Sequence, residues 1–207
     1  MSFDSDLLAT ATRHLRRRDP VLRGVIERVG PVTVKLEKNR FQALIRAIIA
    51  QQISGKAARA IGQRLLDSIR PQRLTPEVVA AIPIEQLRAL GLSSQKASYI
   101  HDLAAHVSDG RVKLSRAQRM TDDEVIEQLV QVKGIGVWTA QMFLIFSLGR
   151  PDVFPHGDYG VRAAIRNLYG LADLPNKEQS VAIAEPWRPY ASIAAWYCWR
   201  SLDDIPE

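Results

Sequence analysis

Apolar residues recur at helical spacing along most of this chain. In NRFQALIRAIIAQQ, residues 39–52, Phe41, Leu44, Ile45, Ile48 and Ile49 fall at i, i+3, i+4, i+7 and i+8, one face of a helix. Ser54 fits an N-cap ahead of GKAARAIGQRLLDSIR. Thr75-Pro76-Glu77 reads as a cap followed by proline at the first helical position, and Pro83 opens a short segment that Gly91 stops. Ser93 or Ser94 starts SQKASYIHDLAAHV, which ends near Asp109-Gly110. Thr121-Asp122-Asp123-Glu124 forms a capping box before VIEQLV. Further helices are expected after Gly136, Asp158 and Lys177, and a last one from about Tyr190 to Leu202. Only PVTVKLEK, residues 31–38, alternates like a strand, and it is too short to found a sheet. The pattern predicts an all-α fold of roughly ten helices with short connections. Periodicity alone leaves one lobe or two open.

Composition narrows the class. The 207 residues are 46% hydrophobic and 24% charged, which excludes disordered and collagen-like chains and suffices for a core without staples. Apolar runs are only a few residues long, so no membrane-crossing helix is expected. Residues 1–18 place their arginines after the few leucines, the reverse of a secretory signal, and a cytoplasmic location is the expectation. The single cysteine, Cys198, excludes an internal disulfide, a multi-cysteine zinc site and a four-cysteine iron–sulfur cluster. His14, His101, His106 and His156 are not spaced as metal ligands, so no cofactor is expected.

Charge is uneven. Net charge is +6, but residues 1–70 carry 14 Lys and Arg against 6 Asp and Glu, while the rest carry 14 against 16. Arg13, Arg16, Arg17, Arg18 and Arg23 concentrate the excess. A polyanion such as nucleic acid fits this, and so does a solvated face of an N-terminal helix.

The most informative stretch is LVQVKGIGVWTA, residues 129–140. Gly134 and Gly136 flank one apolar residue, permitting a tight turn between two helices. The turn's amides would lie at the N-terminus of the second helix, where an anion is favoured. Downstream, GRPDVFPHGDYGVR at 149–162 places Asp158 at the head of the helix YGVRAAIRNLYG, whose dipole favours an ionised carboxylate. Asp158 also fits a plain N-cap, and the two roles are compatible. Asp152 and Asp173 read as turn residues.

Together VKGIGVWTA, the loop to Asp158, LIRAIIAQQIS at 44–54, GLSSQKA at 91–97 and PWRPYASIAAW at 186–196 resemble the helix–hairpin–helix DNA glycosylase superfamily, in its alkylation-repair, 3-methyladenine DNA glycosylase II branch. The likeness spans roughly residues 40–200 and implies one helical glycosylase unit over 1–207, without a separate N-terminal β domain. Its lobes would be about 40–150, and 1–39 with 151–207, with the active-site cleft between them.

The resemblance implies roles. Asp158 would be the catalytic carboxylate. Trp138, Trp196 and Met142 would line the base pocket, Met142 standing where an aromatic residue is expected of relatives. Trp187, Tyr190, Tyr197 and Trp199 are further aromatic candidates, although tryptophans at helical spacing also serve as core. Gln52 would wedge into the duplex, with Gln51 and Ile53 as neighbours in reserve; both glutamines also fit helix-end capping. The amides of Gly134 and Gly136, with Thr139 and Lys133, would bind DNA phosphate. A Na+ or K+ ion would sit on the carbonyls of Val130, Val132 and Ile135. Bifunctional relatives carry a lysine directly after G-x-G-x, where this chain has Trp138. A monofunctional enzyme is therefore expected, acting as a monomer on double-stranded DNA, excising alkylated purines and leaving an abasic site. The alternative is a non-catalytic helix–hairpin–helix DNA-binding protein, which has no need of Asp158 in its full motif.

Overall fold

Twelve α-helices and two 3-10 turns account for the regular structure in the computed structural model, which describes residues 3–203. The helices are α1 Ser5–Arg18, α2 Pro20–Val29, α3 Arg40–Ala50, α4 Gly55–Ser68, α5 Pro76–Ala80 and α6 Ile84–Ala89. There follow α7 Ser94–Ser108, α8 Asp122–Leu129, α9 Val137–Phe146, α10 Tyr159–Tyr169, α11 Lys177–Ala184 and α12 Ala191–Asp203. The fold is all-α. Residues 31–38 hold one bridging residue, Lys35, with bends at Pro31 and Lys38, and form no strand.

The caps explain the boundaries. Side chains of Asn39, Ser54, Thr75, Ser93 and Asn176 accept the first free amides of α3, α4, α5, α7 and α11. Thr121 and Glu124 complete the expected capping box of α8. A break that spacing did not delimit falls at Asp19-Pro20. Asp19 ends α1 and caps α2, its Oδ1 accepting from the amides of Val21 (2.9 Å) and Leu22 (3.0 Å).

The chain divides into two compact units, a central one over 37–143 and a terminal one made of the residues up to 36 and from 144 on. In the central unit α3 packs on α4 and α7, and α5 and α6 also pack on α7. The predicted face of α3 (Phe41, Leu44, Ile45, Ile48 and Ile49) is buried there throughout. In the terminal unit α2 and α10 pack on α12, and α1 packs on α2, around Leu15, Leu22, Ile165, Trp187 and Tyr197. Asp19 is buried in this core, and its Oδ2 accepts from Trp187 Nε1 at 2.7 Å and from the Tyr169 hydroxyl. A buried carboxylate with donors on both oxygens is compensated rather than destabilising. Burial and the adjoining Asp19 charge push the Tyr169 phenol far above its ordinary pKa.

Candidate active site

In the central unit, α8 ends at Leu129 and α9 begins at Val137; Val132 and Ile135 turn inward and anchor the hairpin between them. Gly134 has φ +82°, and a Cβ built on it would lie 2.1 Å from Tyr99 Cδ2. Only glycine fits against that ring. Gly136 has open space where a Cβ would go, and its carbonyl accepts the Ala140 amide at 3.0 Å, making it the residue that opens α9. Amides of the first helical turn lack acceptors within the helix and carry the positive end of its dipole. The turn thus offers an anion site with no side chain in the way. Val137 and Trp138 stand 48% and 47% exposed beside it. Lys133 is exposed, and its own amide donates to Asp102 Oδ2 at 2.8 Å. Thr139 of α9, expected at the phosphate, is only 5% exposed. Met142 is half-buried on the same helix. Of the three carbonyls considered for a cation, that of Val132 accepts the Ile135 amide at 3.0 Å and keeps one lone pair for a further ligand.

The turn after α3 separates the two glutamines. Gln52 has φ +57°, the left-handed region that costs a non-glycine residue, and its side chain is exposed. Ile53 beside it is exposed as well. Gln51 is instead tied down. Its Nε2 donates to the Gly134 carbonyl at 2.8 Å, and its own carbonyl accepts from Lys96 Nζ at 2.5 Å. Helix-end capping thus fits Gln51, while Gln52 is left to face outward.

In the terminal unit Asp158 opens α10 and is only 8% exposed. Its Oδ1 accepts from the Val161 amide at 2.8 Å and from Trp199 Nε1 at 2.9 Å. Both donors meet the same carboxylate oxygen and hold the group's orientation. A Cβ on Gly160 would come within 3.1 Å of Trp199 Cδ1 and 3.2 Å of Asp158 Oδ1, so the bond is made in a tight space. Asp158 is thus the N-cap of α10, with its carboxylate oriented by two donors.

The other aromatic candidates divide. Trp187 is fully buried and bonded to Asp19, and Tyr197 is fully buried with its hydroxyl donating to the Gly30 carbonyl at 3.1 Å. Tyr190 packs edge-on against His14 at 5.3 Å. These three are structural. Trp196 is 9% exposed, in edge contact with Tyr197, and the Arg200 guanidinium lies 5.9 Å from its ring centroid. Little of this side chain is left accessible to a ligand. Trp199, one of the lesser candidates, turns out to hold the carboxylate.

Histidines and remaining acids have local roles. His106 Nδ1 bonds the Asp102 carbonyl and its Nε2 faces Arg111, while His101 bonds the Ile82 carbonyl. Burial and the neighbouring Lys177 depress the pKa of His156, against a smaller opposing effect of Glu178, so it stays neutral at neutral pH. Asp152 accepts from Arg188 and from the Ala191 amide.

A fold of helices, a glycine hairpin that opens a helix and a carboxylate buried at another helix head together describe a DNA base-excision protein. The chain belongs to the HhH-GPD superfamily of base excision DNA repair proteins, whose family model matches residues 45–189. It is 36% identical over 199 residues to DNA-3-methyladenine glycosylase 1 of Schizosaccharomyces pombe, covering 94% of this chain and 87% of that one. A putative DNA-3-methyladenine glycosylase of Bacillus subtilis is 31% identical, and the match covers 88% of this chain but 66% of that longer protein. Among solved structures, the S. pombe 3-methyladenine DNA glycosylase in complex with abasic DNA superposes with a TM-score of 0.85 at 35% identity, over 96% of this chain and all of that one.

Proposed function

We propose that this protein is a monofunctional DNA glycosylase that flips alkylated purines of the 3-methyladenine type out of duplex DNA and hydrolyses their N-glycosidic bond. The observation that carries this reading is Asp158, a nearly buried carboxylate oriented by the Val161 amide and the Trp199 indole. An alkylated purine is already cationic, so it departs with the bonding pair as a neutral base and needs no general acid. Positive charge then develops on the sugar, as in other glycoside cleavage. The Asp158 carboxylate stabilises that charge and orients the water that adds to C1′, whose proton passes to the carboxylate or to solvent. The products are free base and an abasic site.

A flipped cationic base is best held by an electron-rich ring. Trp138, half exposed, is the residue suited to this, with Met142 four residues on along α9; Trp196 is a further aromatic candidate. The Gly134 and Gly136 amides receive a backbone phosphate, and Lys133, next to Gly134 in sequence, adds charge. Na+ or K+ on the carbonyls of Val130, Val132 and Ile135 would supply neutralisation there. Trp138 cannot form a Schiff base, so strand cleavage is not part of the reaction. The protein acts on double-stranded DNA as a monomer.

The test is release of free base from alkylated duplex DNA, followed by alkali. Base release, with strand breaks appearing only after alkali, is the expected outcome. Tight binding of alkylated duplex without any base release would mean a DNA-binding protein instead.

A further inference from the structure

Helix α7 supports two elements that the glycosylase reading treats separately. Lys96, Tyr99 and Asp102 are spaced i, i+3, i+6, which places them on one face of the helix. Lys96 Nζ donates to the carbonyls of Ile49 (2.8 Å) and Gln51 (2.5 Å), at the C-terminal end of α3. A cation there satisfies orphan carbonyls and meets the negative end of the helix dipole. Tyr99 covers Gly134, and Asp102 accepts the Lys133 amide at 2.8 Å. One helical face thus backs the end of α3 on one side and the hairpin on the other.

Gln51 closes the circuit directly. Its carbonyl is held by Lys96, and its side-chain amide holds the Gly134 carbonyl at 2.8 Å. The same peptide unit donates its N–H, that of Ile135, to the Val132 carbonyl at 3.0 Å. With both ends bonded, that peptide plane is fixed, and the next amide along the chain is Gly136, the one that opens the anion site. On the other side, the residue after Gln51 is Gln52, held in the left-handed region at φ +57°. Such a conformation persists only where its neighbours determine it.

We propose that Gln51 is a positioning residue for base flipping, locking the Gln52 wedge turn to the phosphate-binding hairpin through its bond to Gly134. This rests on the glycosylase reading of Gln52 and the hairpin. The wedge is then set in register with the captured phosphate, and the two act as one clamp. Gln51 touches neither base nor sugar.

The test uses Gln51→Met, which keeps length and bulk but deletes the donor, together with Gln52→Ala and the double variant. Thermal melting accompanies each, and Gln51→Ala is the second variant should Gln51→Met fold poorly. Single-turnover excision of one paired alkylated purine should fall about tenfold in Gln51→Met, as expected for one lost hydrogen bond and an orphaned carbonyl. Affinity for undamaged duplex and its salt dependence should stay within about twofold, since no charge is removed. In the Gln52→Ala background the same substitution should cost less than about twofold, because it acts through the wedge. A second readout needs no chemistry: fluorescence of 2-aminopurine next to an abasic analogue, which reports unstacking, should rise less on binding Gln51→Met than on binding wild type. An equal loss in both backgrounds, or unchanged fluorescence, overturns the proposal. A wild type that releases no base refutes the glycosylase reading alone, and the fluorescence then still decides whether Gln51 couples the two elements.

Discussion

Trp199 donates its indole N–H to Asp158 Oδ1 at 2.9 Å, joining the end of α12 to the head of α10 across 41 residues of chain. The Val161 amide meets the same oxygen at 2.8 Å. A carboxylate that is to face a developing sugar cation must be ionised and must not rotate. Two donors on one oxygen oppose rotation, one from the backbone of its own helix and one from a side chain packed over it. In the proposed reaction the tryptophan would act through Asp158.

Trp199→Phe keeps an aromatic ring and deletes the donor. Excision under single-turnover conditions should fall by about tenfold or more, since a hydrogen bond to a charged group contributes on the order of 1.5–3 kcal/mol. Duplex affinity should change little, because no phosphate contact is involved. A variant with wild-type rate would show that the Val161 amide alone orients the carboxylate.

The two hairpin glycines should respond differently to a methyl group. Gly134→Ala sets a Cβ 2.1 Å from Tyr99 in a backbone of φ +82°, so unfolding midpoints in urea should drop by an amount corresponding to at least about 2 kcal/mol. Gly136→Ala meets open space and should melt like wild type, yet bind duplex DNA more weakly because the methyl stands where a phosphate must approach. Equal stability of the two variants would contradict the packing of Tyr99 on Gly134.

For Gln52, exposed on a left-handed turn, substitution by alanine should slow excision of a lesion in a stable pair more than of the same lesion in a mismatch. The mismatched base needs less help to leave the stack; the difference should lie within roughly 1–3 kcal/mol. Parallel single-turnover assays on the two duplexes give the comparison. Identical sensitivity in both contexts removes the wedge role.

Borohydride added during turnover should trap no covalent enzyme–DNA adduct, because Trp138 stands where a Schiff-base lysine would be needed. Gel analysis after reduction reads this directly. A trapped species that disappears in Lys133→Ala would make the protein a lyase as well.

Much of this was legible in residue spacing. The apolar stripe of α3, the capping box of α8 and the glycine pair of the hairpin depend on interactions within a few residues, so the sequence displays them. What depends on distant partners was not legible. Thr139 is expected from the motif to meet phosphate, yet its side chain is nearly buried. Asp19-Pro20 carries a cap-and-proline signal, yet its burial under Trp187 and Tyr169 is set by residues about 150 positions away. Trp187, Tyr197 and Trp199 look alike as aromatic candidates, and only packing separates two core residues from the one that bonds Asp158. The division of labour between Gln51 and Gln52 depends in the same way on Gly134 and Lys96.

Asp158→Asn tests the central claim most directly, on a duplex carrying one alkylated purine. The amide keeps the shape and an acceptor for Val161 and Trp199 but removes the charge, at a group whose proposed role is electrostatic stabilisation worth roughly 100-fold or more. Single-turnover base release should fall by at least that factor, while the Kd for the same duplex stays within a few-fold of wild type. Base release at close to the wild-type rate would contradict the account, and would move the chemistry to a residue other than Asp158.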